Sequence, residues 1–170
     1  PLLVNKKKFN LKAYALLTGV SPLRIYLYEE GLLLFNDKEY NLKSSQLKNT
    51  NIHFLNDNWG EKSNNGDNIW HISNFINYCK ENGINYSNIR NQIIDIIIKS
   101  FISFDENINE KLKIKNFDER NFFEIFSFDF LVDDKEKVFL LEITGDPKIE
   151  TNYETEIKLY NNLIIDSLNI

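Results

Sequence analysis

The stretch that most constrains this chain is Phe123 to Pro147, F-E-I-F-S-F-D-F-L-V-D-D-K-E-K-V-F-L-L-E-I-T-G-D-P. Two runs rich in β-branched and aromatic residues flank a polar break, Asp133 to Glu136, a pattern that predicts a β-hairpin. Side chains alternate across a strand, so a register assigns faces. With Val132 paired to Lys137, Phe126, Phe128 and Phe130 share a face with Phe139, Leu141 and Ile143. The opposite face carries Asp129, Glu142 and Thr144, and its two acids lie within diagonal reach. Two carboxylates held this close repel unless a cation or a proton lies between them. An oxygen-only set of this kind suits Mg²⁺, which takes few protein ligands and completes its shell with water and phosphates. The alternative is a half-exposed hairpin with solvated acids.

A chain of 170 residues fits one domain, and 42% hydrophobic residues with 13 Phe supply a sizeable core. The net charge of −5 argues against a general nucleic-acid binder. A single cysteine, Cys79, rules out an internal disulfide and fits a reducing, cytoplasmic compartment. The longest apolar run, Ile93 to Phe104, is interrupted by Asp95 and Lys99 and is too short to span a membrane. The chain holds no methionine and opens on Pro1-Leu2-Leu3-Val4, which reads as strand; these features predict a fragment of a longer protein.

Along the chain, Phe9 to Leu17 and Leu23 to Phe35 predict two strands around the breaker Thr18 to Pro22, with Gly31 marking a bulge or turn. Asn36 to Ser63 is a long polar connection. The spacing of Ile69, Ile72, Ile76 and Cys79 predicts a helix over 69–81 with Gly83 at its C-terminal cap. Ser87 to Phe104 predicts a second helix, capped by Ser87 or Asn88. Asp105 to Asn121 is a charged connection. Asn152 to Leu168 predicts a last helix, with Ile157, Tyr160, Leu163, Ile164 and Leu168 on one stripe. The order implies an α+β (mixed α/β) fold, an antiparallel sheet flanked by helices.

Other chemistry is sparse. Lys8, Asn10 and Lys12 share one strand face, where aligned cations meet phosphates or simply face solvent. One Cys and two His make no zinc pattern, and neither a P-loop nor G-x-G-x-x-G occurs. Trp59 and Trp70 read as packing residues.

The segments 1–18, 22–32, N-I-H-F-L-N (51–56) and 123–147 together resemble the tubulin tyrosine ligase-like family, in order and across essentially the whole chain. The resemblance implies the C-terminal half of an ATP-grasp catalytic region, residues 1–170 forming a single domain whose N-terminal half lies before Pro1. It implies an ATP- and Mg²⁺-dependent ligase that activates a carboxylate as an acyl phosphate and joins an amino acid to tubulin tails, by tyrosination or glutamylation. The partners implied are acidic tubulin tails, microtubules and a free amino acid, at a cytoskeletal location, with no nucleic acid or membrane.

Carried over residue by residue, Asp129 and Glu142 match the family's magnesium carboxylates, and Thr144 stands where an asparagine is usual. Lys8 matches a basic residue near phosphates and substrate, giving it a catalytic and nucleotide-binding role. In F-D-x-R the chain has Phe9-Asn10-Leu11-Lys12; Lys12 keeps the charge without the bidentate fork. Leu34 replaces an arginine, and in H-L-T-N the chain keeps His53 and Asn56 but has Leu55. Asn56 is a nucleotide contact on this reading. Lys6, Lys7, Lys8, Lys12 and Arg24 are expected to gather in the first hairpin beside the acidic peptide. The alternative is a pseudoenzyme that binds tubulin or nucleotide without turnover, to which Asn10, Leu34, Leu55 and Thr144 point.

Overall fold

Apolar residues alternate along the first long strand and make it the centre of the sheet. The computed structural model describes residues 1–20, 22–53, 68–114, 123–149, 151 and 153–170, with side chains 50, 51 and 105–114 left out. The strands are β1 (Phe9–Val20), β2 (Leu23–Phe35), β3 (Ile69–His71), β4 (Glu124–Val132) and β5 (Val138–Gly145). They form one antiparallel sheet in the order β3-β2-β1-β4-β5. The helices are α1 (Thr50–His53), α2 (Ile72–Asn82), α3 (Tyr86–Ile114) and α4 (Glu154–Leu168), so the predicted antiparallel α+β architecture is the observed one.

Alternation sends β1 residues to two cores. Phe9, Leu11, Ala13, Ala15 and Leu17 pack with Phe128 and Phe130 under Phe75 of α2 and Ile93, Ile97 and Phe101 of α3. Phe101 meets Phe126 and Phe128 nearly edge-on, with centroids 5.1 and 5.7 Å apart. Tyr14 and Leu32 face the other way and pack under Leu159, Tyr160 and Leu163 of α4. The sheet therefore lies between α2/α3 and α4, and β1 is buried on both sides.

Several boundaries differ from the sequence reading. Ile69, Trp70 and His71 pair with Leu34, Leu33 and Leu32, so a strand on the edge of β2 replaces the first helical turn predicted there. Gly83 caps α2 with φ 70°, and the N–H groups of Gly83 and Ile84 both donate to the Cys79 carbonyl. The cap of α3 is Asn85, whose Oδ1 accepts from the Asn88 N–H at 3.1 Å, rather than Ser87 or Asn88. With no Gly or Pro between Tyr86 and Ile114, α3 runs through much of the predicted charged connection. On α4, Leu159, Tyr160, Leu163 and Ser167 turn inward while Ile157 and Leu168 are exposed, so the predicted stripe is rotated. Residues 1–4 are not a strand. Leu2 N–H donates to the Val132 carbonyl, and a Val4–Lys7 bridge closes a turn in which Asn5 and Lys6 have φ 48° and 63°.

Two irregularities set the hairpin register. In the β4–β5 turn, Asp133 Oδ1 accepts from the Lys135 and Lys137 N–H groups at 2.9 and 2.8 Å, and Glu136 takes φ 62°. This extra turn residue pairs Val132 with Val138, not with the predicted Lys137. Phe139 consequently pairs with Leu131, leaving the Phe128 face. Phe139 and Leu141 are 41% and 51% exposed rather than packed with the phenylalanines. Further along, Phe130 pairs with Leu140 but Asp129 pairs with Glu142, so Leu141 is the extra residue of a bulge. Past it, Ile143 is back on the phenylalanine face, as predicted, but it pairs with Phe128 where the predicted register puts it opposite Phe126.

Gly31 marks a second bulge, as its sequence context predicts. Ala13 pairs with Gly31 but Ala15 pairs with Leu27. A Cβ on Gly31 would lie 2.4 Å from the Lys12 carbonyl oxygen and 2.7 Å from Ile72 Cδ1, so the close approach requires glycine.

Candidate functional site

The site follows from three strands in register. Lys12 of β1 stands opposite Asp129 of β4, and Asp129 stands opposite Glu142 of β5. The acids are thus direct cross-strand neighbours, not the diagonal pair predicted; the extra turn residue and the Leu141 bulge together make the difference. Side chains so placed have Cβ atoms about 5 Å apart. The next row, about 7 Å along the strands, is Tyr14, Ser127 and Thr144. Asp129, Glu142 and Thr144 therefore share one face, as predicted.

Lys12 Nζ lies 3.3 Å from Asp129 Oδ1, with the two side chains 24% and 19% exposed. Burial raises the Asp129 carboxyl above its ordinary range; the Lys12 ammonium opposes that shift and the Glu142 carboxylate adds to it. Asp129 Oδ1 is buried yet receives no well-directed hydrogen bond, so its contact with Lys12 is an ion pair at most. Glu142 is exposed and Thr144 half-buried. Among the described residues no group of three or more His, Cys, Asp or Glu side chains forms a metal cage. Two carboxylates and a hydroxyl fit Mg²⁺ nonetheless, because that ion keeps several waters or phosphate oxygens.

Tyr14 borders this row beneath α4. Its hydroxyl is 3.4 Å from that of Tyr160, and the rings meet edge-on with centroids 6.0 Å apart. Burial, then Tyr160, raises the Tyr14 phenol far above its usual value; burial pushes Tyr160 up to about 12. The sequence reading passed over Tyr14. Its even position in β1, on the same face as Lys12, was the available signal.

The remaining predicted residues are spread out. Lys8 Nζ donates to the His53 carbonyl at 2.6 Å, and burial lowers its pKa. The His53 ring stands edge-on to Tyr40 at 5.5 Å, with Nε2 3.2 Å from the Gln46 carbonyl. Lys8 thus reaches the His53 segment and makes no described ion pair with Asp129 or Glu142. Asn10 pairs with Leu34 across β1–β2. Leu55, Asn56 and Trp59 lie outside the described residues; Trp70 packs edge-on against Phe35 at 5.0 Å, as expected. The expected basic cluster is split. Lys6 and Lys7 precede β1 and meet Glu39 and Asn68, whereas Arg24 pairs with Gly19 at the far end of the hairpin and donates to the Thr18 carbonyl. Strand rise separates the two ends by about 40 Å.

Comparison with known proteins gives this geometry a context. The chain is 30% identical, over its whole length, to the tubulin polyglutamylase ttll-4 of Caenorhabditis briggsae. It is 29% identical to the tubulin monoglutamylase TTLL4 of Mus musculus and 31% identical to the tubulin polyglutamylase TTLL5 of Mus musculus. It spans 30%, 15% and 14% of the lengths of these three curated relatives. The antiparallel sheet with its helices is consistent with the ATP-grasp-like domain of the family expected from the sequence. The sequence model of the tubulin-tyrosine ligase family matches residues 1–170, and the chain belongs to that family.

Proposed function

We propose that this chain is the C-terminal part of the ATP-grasp region of a ligase that uses ATP and Mg²⁺ to add an amino acid to tubulin tails. The observation that carries the reading is the cross-strand row Lys12–Asp129–Glu142, a cation beside two carboxylates on one sheet face, in a chain of this family. Asp129 and Glu142 would hold Mg²⁺, with the Thr144 hydroxyl as a weaker third donor. When bound, the ion neutralises phosphate charge. Lys8 and Lys12 supply positive charge to the phosphates, and burial of Lys8 strengthens any such contact. Asn56 completes the nucleotide contacts on this reading. The names of the relatives favour glutamate over tyrosine as the residue added. Microtubules are the proposed partner, and the cytoplasmic cytoskeleton the proposed location.

A second reading, a pseudoenzyme that binds tubulin or nucleotide without turnover, is favoured by Leu34 and Asn10. They face one another across β1–β2 two residues from Lys12, where the family usually carries charge. One experiment separates the two: ATP-dependent incorporation of labelled glutamate, tyrosine and glycine into tubulin by the full-length protein, beside Glu142→Gln. Incorporation of glutamate that vanishes in Glu142→Gln supports the ligase. No incorporation by folded protein that still binds microtubules supports the pseudoenzyme and rejects the ligase.

A further inference from the structure

The ion pair at the centre of the row has a chemical consequence of its own. Asp129 is the middle member, with Lys12 on one side and Glu142 on the other. Glu142 makes no ion pair or side-chain hydrogen bond with any described residue. The nearby lysines are engaged elsewhere: Lys8 with the His53 carbonyl, Lys7 with Asn68, Lys6 with Glu39. Among the described residues Lys12 is therefore the cation that meets the carboxylate pair, 3.3 Å from an Asp129 oxygen that no well-directed donor serves.

We propose that Lys12 is a resident counter-ion of the Asp129–Glu142 pair, occupying Asp129 until a divalent cation arrives and leaving it when one does. The inference rests on the reading of Asp129 and Glu142 as the metal carboxylates. An ammonium and a divalent cation cannot both crowd one carboxylate without repulsion, which is strong where solvent screening is partial. Metal alone thus binds against the displacement of Lys12. A nucleotide phosphate gives the displaced ammonium a new partner, so metal and nucleotide assist one another's binding, and by linkage the assistance is reciprocal. Lys12 on this account weakens the carboxylates' affinity for metal in the absence of nucleotide.

The test is Mn²⁺ binding to the full-length protein, followed by electron paramagnetic resonance with and without a non-hydrolysable ATP analogue. Lys12→Met and Lys12→Gln should bind Mn²⁺ alone about tenfold more tightly than the unmodified protein and lose most of the nucleotide-dependent gain. Lys12→Arg, which keeps the charge, should stay near the unmodified protein. Lysine acetylation footprinting of the unmodified protein gives an independent readout that needs no variant: Mn²⁺ alone should raise the reactivity of Lys12, and added nucleotide should lower it again. Mn²⁺ binding that is unchanged or weaker in both neutral variants, or Lys12 reactivity that does not respond to Mn²⁺, overturns the counter-ion role and leaves the metal reading standing. If the folded, unmodified protein and its variants all fail to bind Mn²⁺ even with nucleotide, the metal reading itself falls and takes this inference with it.

Discussion

Gly31→Ala should be one of the most damaging single-methyl changes in the sheet, and the reason is geometric. The added Cβ would lie 2.4 Å from the Lys12 carbonyl oxygen and 2.7 Å from Ile72 Cδ1. The carbonyl belongs to the central strand and cannot swing aside; Ile72 is buried in the main core. Overpacking of this kind costs about 1–3 kcal/mol, occasionally more. Replacing glycine also restricts the unfolded chain, which returns about 0.4–1 kcal/mol where no strain opposes it. A clash with a backbone oxygen sits at the upper end of that range, so the expected net loss is about 2 kcal/mol, read as a lower opening free energy for the β1 and β2 amides in native-state hydrogen exchange of the full-length protein. Ile72→Val removes Cδ1 and should rescue only part of the loss, since the carbonyl contact stays. Gly83→Ala is the control: its Cβ would meet nothing within 4 Å, and its φ of 70° costs about 1 kcal/mol through the backbone alone. If Gly31→Ala costs no more than Gly83→Ala, the close approach of β1 and β2 is not the reason for glycine at position 31.

The two buried phenols should make stability fall with alkaline pH. Their folded pKa values lie above the ordinary value, so their contribution is complete below about pH 10 and is lost as pH rises through about 12, where Tyr160 titrates. Tyr14→Phe with Tyr160→Phe should flatten that decline in denaturation curves collected between pH 10 and 12; an unchanged slope would rule out the pair as its source. Gln92→Ala should cost about 1–3 kcal/mol by chemical denaturation. Its Oε1 accepts from the Val138 N–H and its Nε2 donates to the Glu136 carbonyl, tying α3 to the hairpin; Gln92→Glu, which keeps only the acceptor, should fall between. Asp133 is held below the ordinary carboxylate range, mainly by the Lys137 N–H and then by that of Lys135. Its contribution is therefore present above about pH 4 and lost as pH falls through the folded value. Asp133→Ala should lower the thermal midpoint at neutral pH and remove that acid dependence, whereas Asp133→Asn, still an acceptor, should retain most of the midpoint.

Local chemistry made most of the architecture legible. Strand alternation found β1, β2 and the β4–β5 hairpin, and Gly83 stopped α2 where a left-handed residue is needed. The errors arose where a distant partner decides. Ile69 fits a helical stripe as well as a strand, and only the edge of β2 makes it strand. The inward face of α4 is chosen by Tyr14 and Leu32, residues far away in sequence. The shared face of Asp129 and Glu142 was legible because both lie within one hairpin. The Lys12–Asp129 contact was not, because it joins strands more than a hundred residues apart. Nor does a sequence show which way a one-residue bulge falls, although Glu142 depends on it.

That dependence turns the hairpin into a parity device. Glu136 and Leu141 each add one residue to the count between Asp129 and Glu142, and the two additions together return the glutamate to the aspartate's side of the sheet. Deleting either one alone would rotate Glu142 toward the phenylalanine core while leaving every site residue present in the chain. Odd changes in the length of 133–141 should therefore abolish the shared face of Asp129 and Glu142, and even ones should spare it.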